Sequence, residues 1–270
     1  MSLNWSENTP IWLIGCGNMA GAMLRRWLEA GLGPAAVTVA RPTGTAPAEG
    51  VRTLTALPRG EAPPRVLMLG VKPQILGVVA ADVAEVVGPD TLLVSILAGT
   101  ELASLKARFP KAGAVVRAMP NTPVAIGRGV VALHGDAGRF AVELDALMQP
   151  LGLVEWIEDE ALFGAATALA GSGPAFVFRF VAAMAEAGAE LGLTPEQALR
   201  LALATVDGAA GLARGSLDSP DLLADRVASP GGMTRKGLDV LDQESALRSL
   251  LLRTLAATEA RGREMAAGTR

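Results

Sequence analysis

The sequence predicts an α/β N-terminal domain built on a parallel sheet, followed by an all-α C-terminal domain. Three observations carry that expectation. Short apolar runs alternate with helical stretches from residue 10 to about 158; the first run opens through a glycine-rich turn into a helix; and past about residue 160 the strand signal stops. The boundary falls between a domain at 1–161 and one at 162–270.

Ile11–Ile14 is the first expected strand, and it runs directly into Gly15, Cys16, Gly17, Asn18, Met19 and Ala20, with 22–30 continuing as helix to Gly31. Gly15 permits a tight turn, Gly17 lets the main chain approach a pyrophosphate, and Ala20 lets helix and strand pack closely. The phosphates would rest on the free N–H groups of the helix N-terminus. This pattern is that of a Rossmann-like dinucleotide cradle, against an ordinary glycine turn as the alternative. Further strands are expected at Val37–Arg41, Val66–Val71, Leu92–Ile96, Ala114–Ala118, Gly129–Leu133 and Leu153–Ile157. Intervening helices are expected at Gln74–Val87, Glu101–Phe109 and Phe140–Leu147. Thr43–Pro64, rich in Pro, Gly and Ala, reads as an extended loop in which the helix after the second strand is lost. In the second domain, Phe163–Leu193, Pro195–Ala213 and Gln243–Ala266 read as long helices, with Thr194 as an N-cap ahead of Pro195. Their Ala- and Leu-rich surfaces predict self-association, as a homodimer or higher oligomer.

Composition narrows the function classes. Of 270 residues half are apolar, and the formal charge of −3 argues against a nucleic-acid partner, leaving a small molecule and copies of the chain itself. The opening residues 1–8 lack a basic start and an apolar core, which predicts a cytoplasmic protein without a secretory signal. Phe163–Phe178 is interrupted by Thr167, Ser172, Gly173 and Pro174 and stopped by Arg179; it reads as a buried helix, with no membrane partner expected. A single cysteine, Cys16, excludes an internal disulfide and a Cys-rich metal site, so no metal is expected.

The second strand ends at Arg41 with no acid to bond ribose hydroxyls. Arg41 offers a fork for a 2′-phosphate, with Thr43 and Thr45 close behind, which favours NADPH over NADH; a solvated loop charge is the alternative. The chain has no tyrosine, so a Tyr–Lys acid pair is impossible, and its one histidine, His134, reads as a surface residue in a turn. A hydride acceptor that is already cationic fits this poverty. Attack on a protonated cyclic imine neutralises charge and leaves no alkoxide to protonate. Two segments suit such an acceptor. Ala170–Ala175 places Gly-Ser-Gly-Pro within an apolar helix, as a structural kink or as a site. Ser229–Thr234 is a glycine turn entering a helix, suited to a carboxylate, with the Thr234 hydroxyl beside it.

These segments together resemble the pyrroline-5-carboxylate reductase family, over nearly the whole chain. Residues 14–19 resemble its cofactor fingerprint, 70–74 its second cofactor loop, 95–99 and 117–123 the segments around the nicotinamide, and 170–175 and 225–234 its two helical-domain signatures. The resemblance implies reduction of L-1-pyrroline-5-carboxylate to L-proline, the last step of proline biosynthesis. It implies cofactor contacts from Ile14, Gly15, Cys16, Gly17, Asn18, Met19, Ala20, Arg41, Gly70, Val71, Lys72, Pro73, Ala98 and Asn121. It implies substrate contacts from Ser172, Ser229, Gly231, Gly232 and Met233, and Thr234 as the partner of the ring nitrogen. The chain departs from the family pattern at Leu57, where an Asn is frequent, at Phe176, where a tyrosine is frequent, and at Met233, Arg235 and Lys236, where small or apolar residues are usual. These departures keep a six-membered imine open as substrate. A two-domain hydroxyacid dehydrogenase would place a Lys and an Asn one turn apart on 163–193, which has neither, and a regulator that binds NADPH without catalysis would not need Thr234.

Overall fold

The structure is a computed structural model that describes Trp5 and residues 9–267. The expectation drawn from residues 1–8 falls outside the described residues except at Trp5, which packs against the core. The chain forms two compact units, one of residues 1–172 with 258–270 and one of residues 173–257.

In the first unit eight strands form one sheet: β1 (Ile11–Ile14), β2 (Val37–Ala40), β3 (Arg52–Leu54), β4 (Val66–Leu69), β5 (Leu92–Ser95), β6 (Ala114–Pro120), β7 (Gly129–Asp136) and β8 (Gly152–Trp156). Their order is β3-β2-β1-β4-β5-β6-β7-β8. The pairings among β1 to β6 are all parallel, β7 is antiparallel to β6, and β8 is parallel to β7. Central strands of such a sheet are buried on both faces, so they are continuous apolar runs. Ile11, Leu13, Val66 and Met68 face the side covered by α1 (Asn18–Glu29) and α4 (Ala141–Met148); Trp12, Ile14, Leu67 and Leu69 face α2 (Leu76–Val86) and α3 (Leu102–Arg108). Met23, Leu24 and Trp27 form the buried stripe of α1. Trp27 is fully buried, and its indole N–H donates to the Leu147 carbonyl at 2.6 Å, fastening α1 to the end of α4.

Three expectations for this unit are corrected. Thr43–Pro64 is not loop throughout: β3 pairs in parallel with β2, and it escaped notice because a three-residue, largely half-buried edge strand has no apolar run to read. β7 joins β6 directly, without an intervening α-helix, so the sheet is mostly rather than wholly parallel. His134 is not on the surface; it lies on β7, 9 % exposed, with Nδ1 2.7 Å from the Ile157 carbonyl.

His134 belongs to a buried polar cluster that ties α5 (Glu160–Ala166) to the sheet. Arg117 on β6 donates to Glu160 Oε1 at 2.6 Å, the Leu102 N–H donates to the same oxygen at 2.8 Å, and the Arg117 guanidinium lies 4.3 Å from the centre of the Phe163 ring. Burial pushes the Glu160 carboxyl up, but the Leu102 N–H, Arg117 and His134 outweigh it and hold it below the ordinary carboxylate value.

The second unit is helical. The expected helix 163–193 is broken: α5 ends in a π-turn at Thr167–Gly171, and α6 (Gly173–Glu190) starts afresh, because Pro174 has no N–H to continue the ladder. A helix hairpin follows, with α7 (Pro195–Gly215) capped reciprocally by Thr194 and Gln197. A Cβ at Gly188 on α6 would lie only 3.3 Å from that of Ala198 on α7, so the glycine lets the two helices approach. α8 (Pro220–Val227) was not expected, although Ser219 and Pro220 repeat the cap-and-proline signal of Thr194 and Pro195. α9 (Met233–Asp242) follows the glycine turn as expected. α10 (Ala246–Ala267) begins later than Gln243, since Glu244 and Ser245 sit at φ 51° and 55° and interrupt the helix.

The run Glu160–Glu190 is long and apolar enough by composition to cross a membrane, and it is not the buried helix expected. Leu169 is 64 % exposed and Phe178 66 %. The chain by itself does not cover this apolar face.

Trp27→Phe is expected to leave the Leu147 carbonyl without its donor and to cost about 1–2 kcal/mol, measured by denaturant unfolding. Glu160→Gln is expected to cost about 2 kcal/mol at pH 7, less than for a fully buried pair because the Glu160 side chain is 32 % exposed. A carboxyl held down in the folded state stabilises above its unfolded pKa of about 4.3, and that contribution disappears as the pH falls through the lower folded value. The gap in Tm between wild type and Glu160→Gln should therefore close in acid; a gap unchanged at about pH 3 contradicts this account.

Candidate active site

Parallel register places the strand ends along one edge of the sheet. Ile14 is level with Ala40 and with Leu69, Leu69 with Ser95, and Ser95 with Arg117. The loops after β1, β2, β4 and β5 therefore open on the same side, as does the end of β6 at Asn121. The order reverses at β1, between β2 and β4, which is where open α/β sheets form a crevice.

Most of the residues assigned to the cofactor from the sequence lie on this edge. Gly15, at φ 81°, donates to the Ala40 carbonyl at 2.8 Å, and Gly70 donates to the Ile14 carbonyl at 2.9 Å. A Cβ at Gly15 would meet Val71 Cγ1 at 2.9 Å, and a Cβ at Gly70 would meet Ala20 Cβ at 3.0 Å, so both glycines are needed for the two loops and α1 to converge. Around Gly17 there is only open space on the Cβ side. It caps α1 with no side chain bonded there and no acid in the first turn, leaving the N–H groups next to Asn18 and Met19 free for an anion. The residues present fit a dinucleotide. Lys72 is exposed, Pro73 opens a 3-10 turn, and Ala98 is exposed ahead of Gly99.

The charge of this edge is positive. Burial pushes the Cys16 thiol up, opposed by the guanidiniums of Arg41 and Arg25. Arg25 was missed from the sequence; it lies on α1, one turn beyond Gly21, where a Cβ would be 3.5 Å from Arg25 Nη1 and 3.8 Å from Cys16 Sγ. Its spacing from the glycine turn was the available signal. Leu57 packs partly buried on the α2 side of the sheet.

Asn121 is 6 % exposed, and its amide bonds to protein through both its oxygen and its nitrogen. Oδ1 accepts from the Val130 N–H at 2.8 Å, and Nδ2 donates to the Ala170 carbonyl at 2.9 Å. Ser172 follows at the end of the π-turn, its N–H bonded to the Thr167 carbonyl at 3.1 Å.

The remaining assigned residues belong to the second unit. Gly231 takes φ 70°, and the Gly232 N–H donates to the Ser229 carbonyl at 2.9 Å. A Cβ at Gly232 would strike Ser229 Oγ at 2.5 Å; only glycine leaves that hydroxyl in place at the start of α9. No side chain caps α9 and no acid lies in its first turn. Its first N–H groups, with the Ser229 and exposed Thr234 hydroxyls, suit a carboxylate beside a polar ring atom. Met233 is 93 % exposed beside them. Arg235 and Lys236 are turned to carboxylates of their own unit, Asp225 at 2.6 Å and Asp239 at 3.6 Å.

Comparison with known proteins finds two family models along the chain. The family model described as pyrroline-5-carboxylate reductase dimerisation matches residues 160–265, and one described as NADP oxidoreductase coenzyme F420-dependent matches residues 10–99. The chain is 35 % identical over 268 residues to the pyrroline-5-carboxylate reductase of Pseudomonas aeruginosa, covering 96 % of this chain and 98 % of that one. It is 33 % identical over 270 residues to that of Pisum sativum, covering 96 % and 97 %. A solved pyrroline-5-carboxylate reductase from Coxiella burnetii superposes with a TM-score of 0.87 at 31 % identity, covering 95 % and 98 %. A sheet edge whose residues fit a dinucleotide and a helical unit with an uncapped glycine turn thus meet whole-length similarity to one group of enzymes, and the chain belongs to the pyrroline-5-carboxylate reductase family.

Proposed function

We propose that this chain reduces L-1-pyrroline-5-carboxylate to L-proline with NADPH, as the last step of proline biosynthesis in the cytoplasm. The observation that carries the reading is the Ser229–Thr234 turn, an uncapped helix start with two hydroxyls, in a chain whose other unit is shaped for a dinucleotide.

The nicotinamide supplies a hydride. Delivered to the imine carbon of a protonated imine, that hydride would leave the C=N electron pair on nitrogen as a neutral amine, so the chain's residues would need to supply no proton. The chain's own residues bind and orient. The α1 N-terminus and the backbone at Gly15 to Ala20 receive the pyrophosphate, while Gly70, Val71, Lys72, Pro73 and Ala98 line the same edge. Arg41, joined by Arg25, faces the 2′-phosphate, which favours NADPH over NADH. Ser229 and the backbone from Gly231 to Met233 hold the carboxylate, Thr234 bonds the ring nitrogen, and Ser172 adds a hydroxyl. No acid is required, consistent with the absence of tyrosine.

Self-association through the helical unit follows from its exposed apolar faces and from the dimerisation family that it matches, with a homodimer as the smallest assembly. Burying Leu169, Val177, Phe178 and Phe180 against a second copy supplies about 1.5–3 kcal/mol per fully buried side chain.

NADPH oxidation is expected with pyrroline-5-carboxylate, weaker with a six-membered cyclic imine and absent with a 2-keto acid; turnover of the keto acid alone overturns the assignment. Thr234→Ala should lower kcat/KM by about 10²-fold with NADPH affinity unchanged. Arg41→Ala is expected to weaken NADPH binding about tenfold or more and NADH binding little, read by fluorescence titration. Equal losses would remove the 2′-phosphate contact.

A further inference from the structure

Two bonds tie one helical segment to one strand. Glu160, at the start of α5, is held by Arg117 on β6 at 2.6 Å, and Ala170, in the π-turn that ends the segment, is held by Asn121 just past β6 at 2.9 Å. Ten residues of helix rise about 15 Å, and four residues of strand span about 13 Å. The matching lengths let the α5 segment pack over β7 with its π-turn reaching β6, clamped to β6 at both ends. Met119 packs in the same place, with its Cγ 3.7 Å from where a Gly171 Cβ would be.

Pro174 explains why an amide is needed. The π-turn, marked by the Ser172 N–H to Thr167 carbonyl bond, ends against Pro174, which lacks the N–H that the Ala170 carbonyl would take four residues on. A buried carbonyl without a donor is costly, and Asn121 Nδ2 supplies one. The same side chain takes the Val130 N–H on Oδ1, so at 6 % exposure its amide is committed to protein on both sides.

We infer that Asn121 is a positioning residue: by holding the Ala170 carbonyl it fixes the π-turn, and so presents Ser172 to the substrate beside the strand ends that bind the cofactor. Asn121 then does not bind the cofactor. This inference rests on the proposed reductase reading, and the wild-type enzyme tests that reading separately.

Asn121→Asp discriminates. The carboxylate still accepts from Val130 but cannot donate to Ala170, while the protonated acid can. In the full-length enzyme at pH 7.5, NADPH affinity by fluorescence titration should stay within about twofold of wild type, while kcat with pyrroline-5-carboxylate falls about thirtyfold or more. Activity relative to wild type should recover partly as the pH is lowered to about 5.5, where a carboxyl pushed up by burial takes a proton. A second, milder variant, Met119→Ala, loosens the same turn and should lower kcat/KM for the imine about threefold to tenfold, again with NADPH affinity unchanged. This variant carries the test if Asn121→Asp does not fold. NADPH affinity lowered tenfold or more in either variant, or kcat and KM unchanged in both, overturns the inference. A wild-type enzyme that binds NADPH without reducing the imine defeats the functional reading instead.

Discussion

The convergence of β1, β4 and α1 depends on two absent side chains. Gly15 donates to the end of β2 and Gly70 to the end of β1, and a methyl on either would collide with Val71, Ala20 or backbone closer than van der Waals contact. The helix cannot retreat to make room, because fully buried Trp27 anchors it to α4 on the same side of the sheet through the Leu147 carbonyl. Strain would therefore fall on the loop, whose geometry presents the α1 N–H groups. The position of Arg41 follows from the same contact, since Gly15 reads the carbonyl of the residue immediately before it. One close approach thus sets both the glycine turn and the position of Arg41 beside it.

β6 plays the corresponding part for the acceptor side. Arg117 and Asn121 lie at and beyond the site edge of the sheet, and each bonds one end of the α5 segment. The first bond joins charges in a partly dry setting, where breaking it leaves an unpaired ion; the second satisfies a carbonyl that Pro174, four residues on, has no N–H to pair. The route from the cofactor strands to Ser172 therefore runs through hydrogen bonds within a single unit. Helix propensity alone would have carried 160–190 straight on.

What was legible in the sequence is what periodicity and turn chemistry encode. β1, β4 and β5 are central strands buried on both faces, and their apolar runs marked them; the glycine turn and the Thr194 cap likewise have local signatures. β3 lacks an apolar run because an edge strand buries little. The placement of His134 was invisible because it is set by Ile157 and Glu160, residues distant in sequence that β8 and α5 bring to it. The break at Thr167–Gly171 was visible as Gly-Ser-Gly-Pro, yet its use was not, since the partner of the freed carbonyl is Asn121, 49 positions away. The helical unit hid the most. Its Ala- and Leu-rich surfaces predicted self-association; only Phe163–Phe178 was read as buried within the chain, because an apolar face open to a second copy has the same pattern as one packed in the chain's own core.

In the proposed reaction, the way charge changes at the ring nitrogen accounts for a hydroxyl at Thr234. Before hydride addition the ring nitrogen is a cationic donor, and it needs an acceptor; afterwards it is a neutral amine with a lone pair, and it needs a donor. A carboxylate would serve only the first state and would stabilise the reactant cation, raising the barrier to its neutralisation. An ammonium or guanidinium would serve only the second and would repel the iminium. A hydroxyl carries two lone pairs and one proton and rotates between the roles without changing charge. In a chain without tyrosine, that leaves serine or threonine. The threonine methyl further restricts the side chain's rotamers, so the hydroxyl is held at the start of α9 at less entropic cost than a serine would incur.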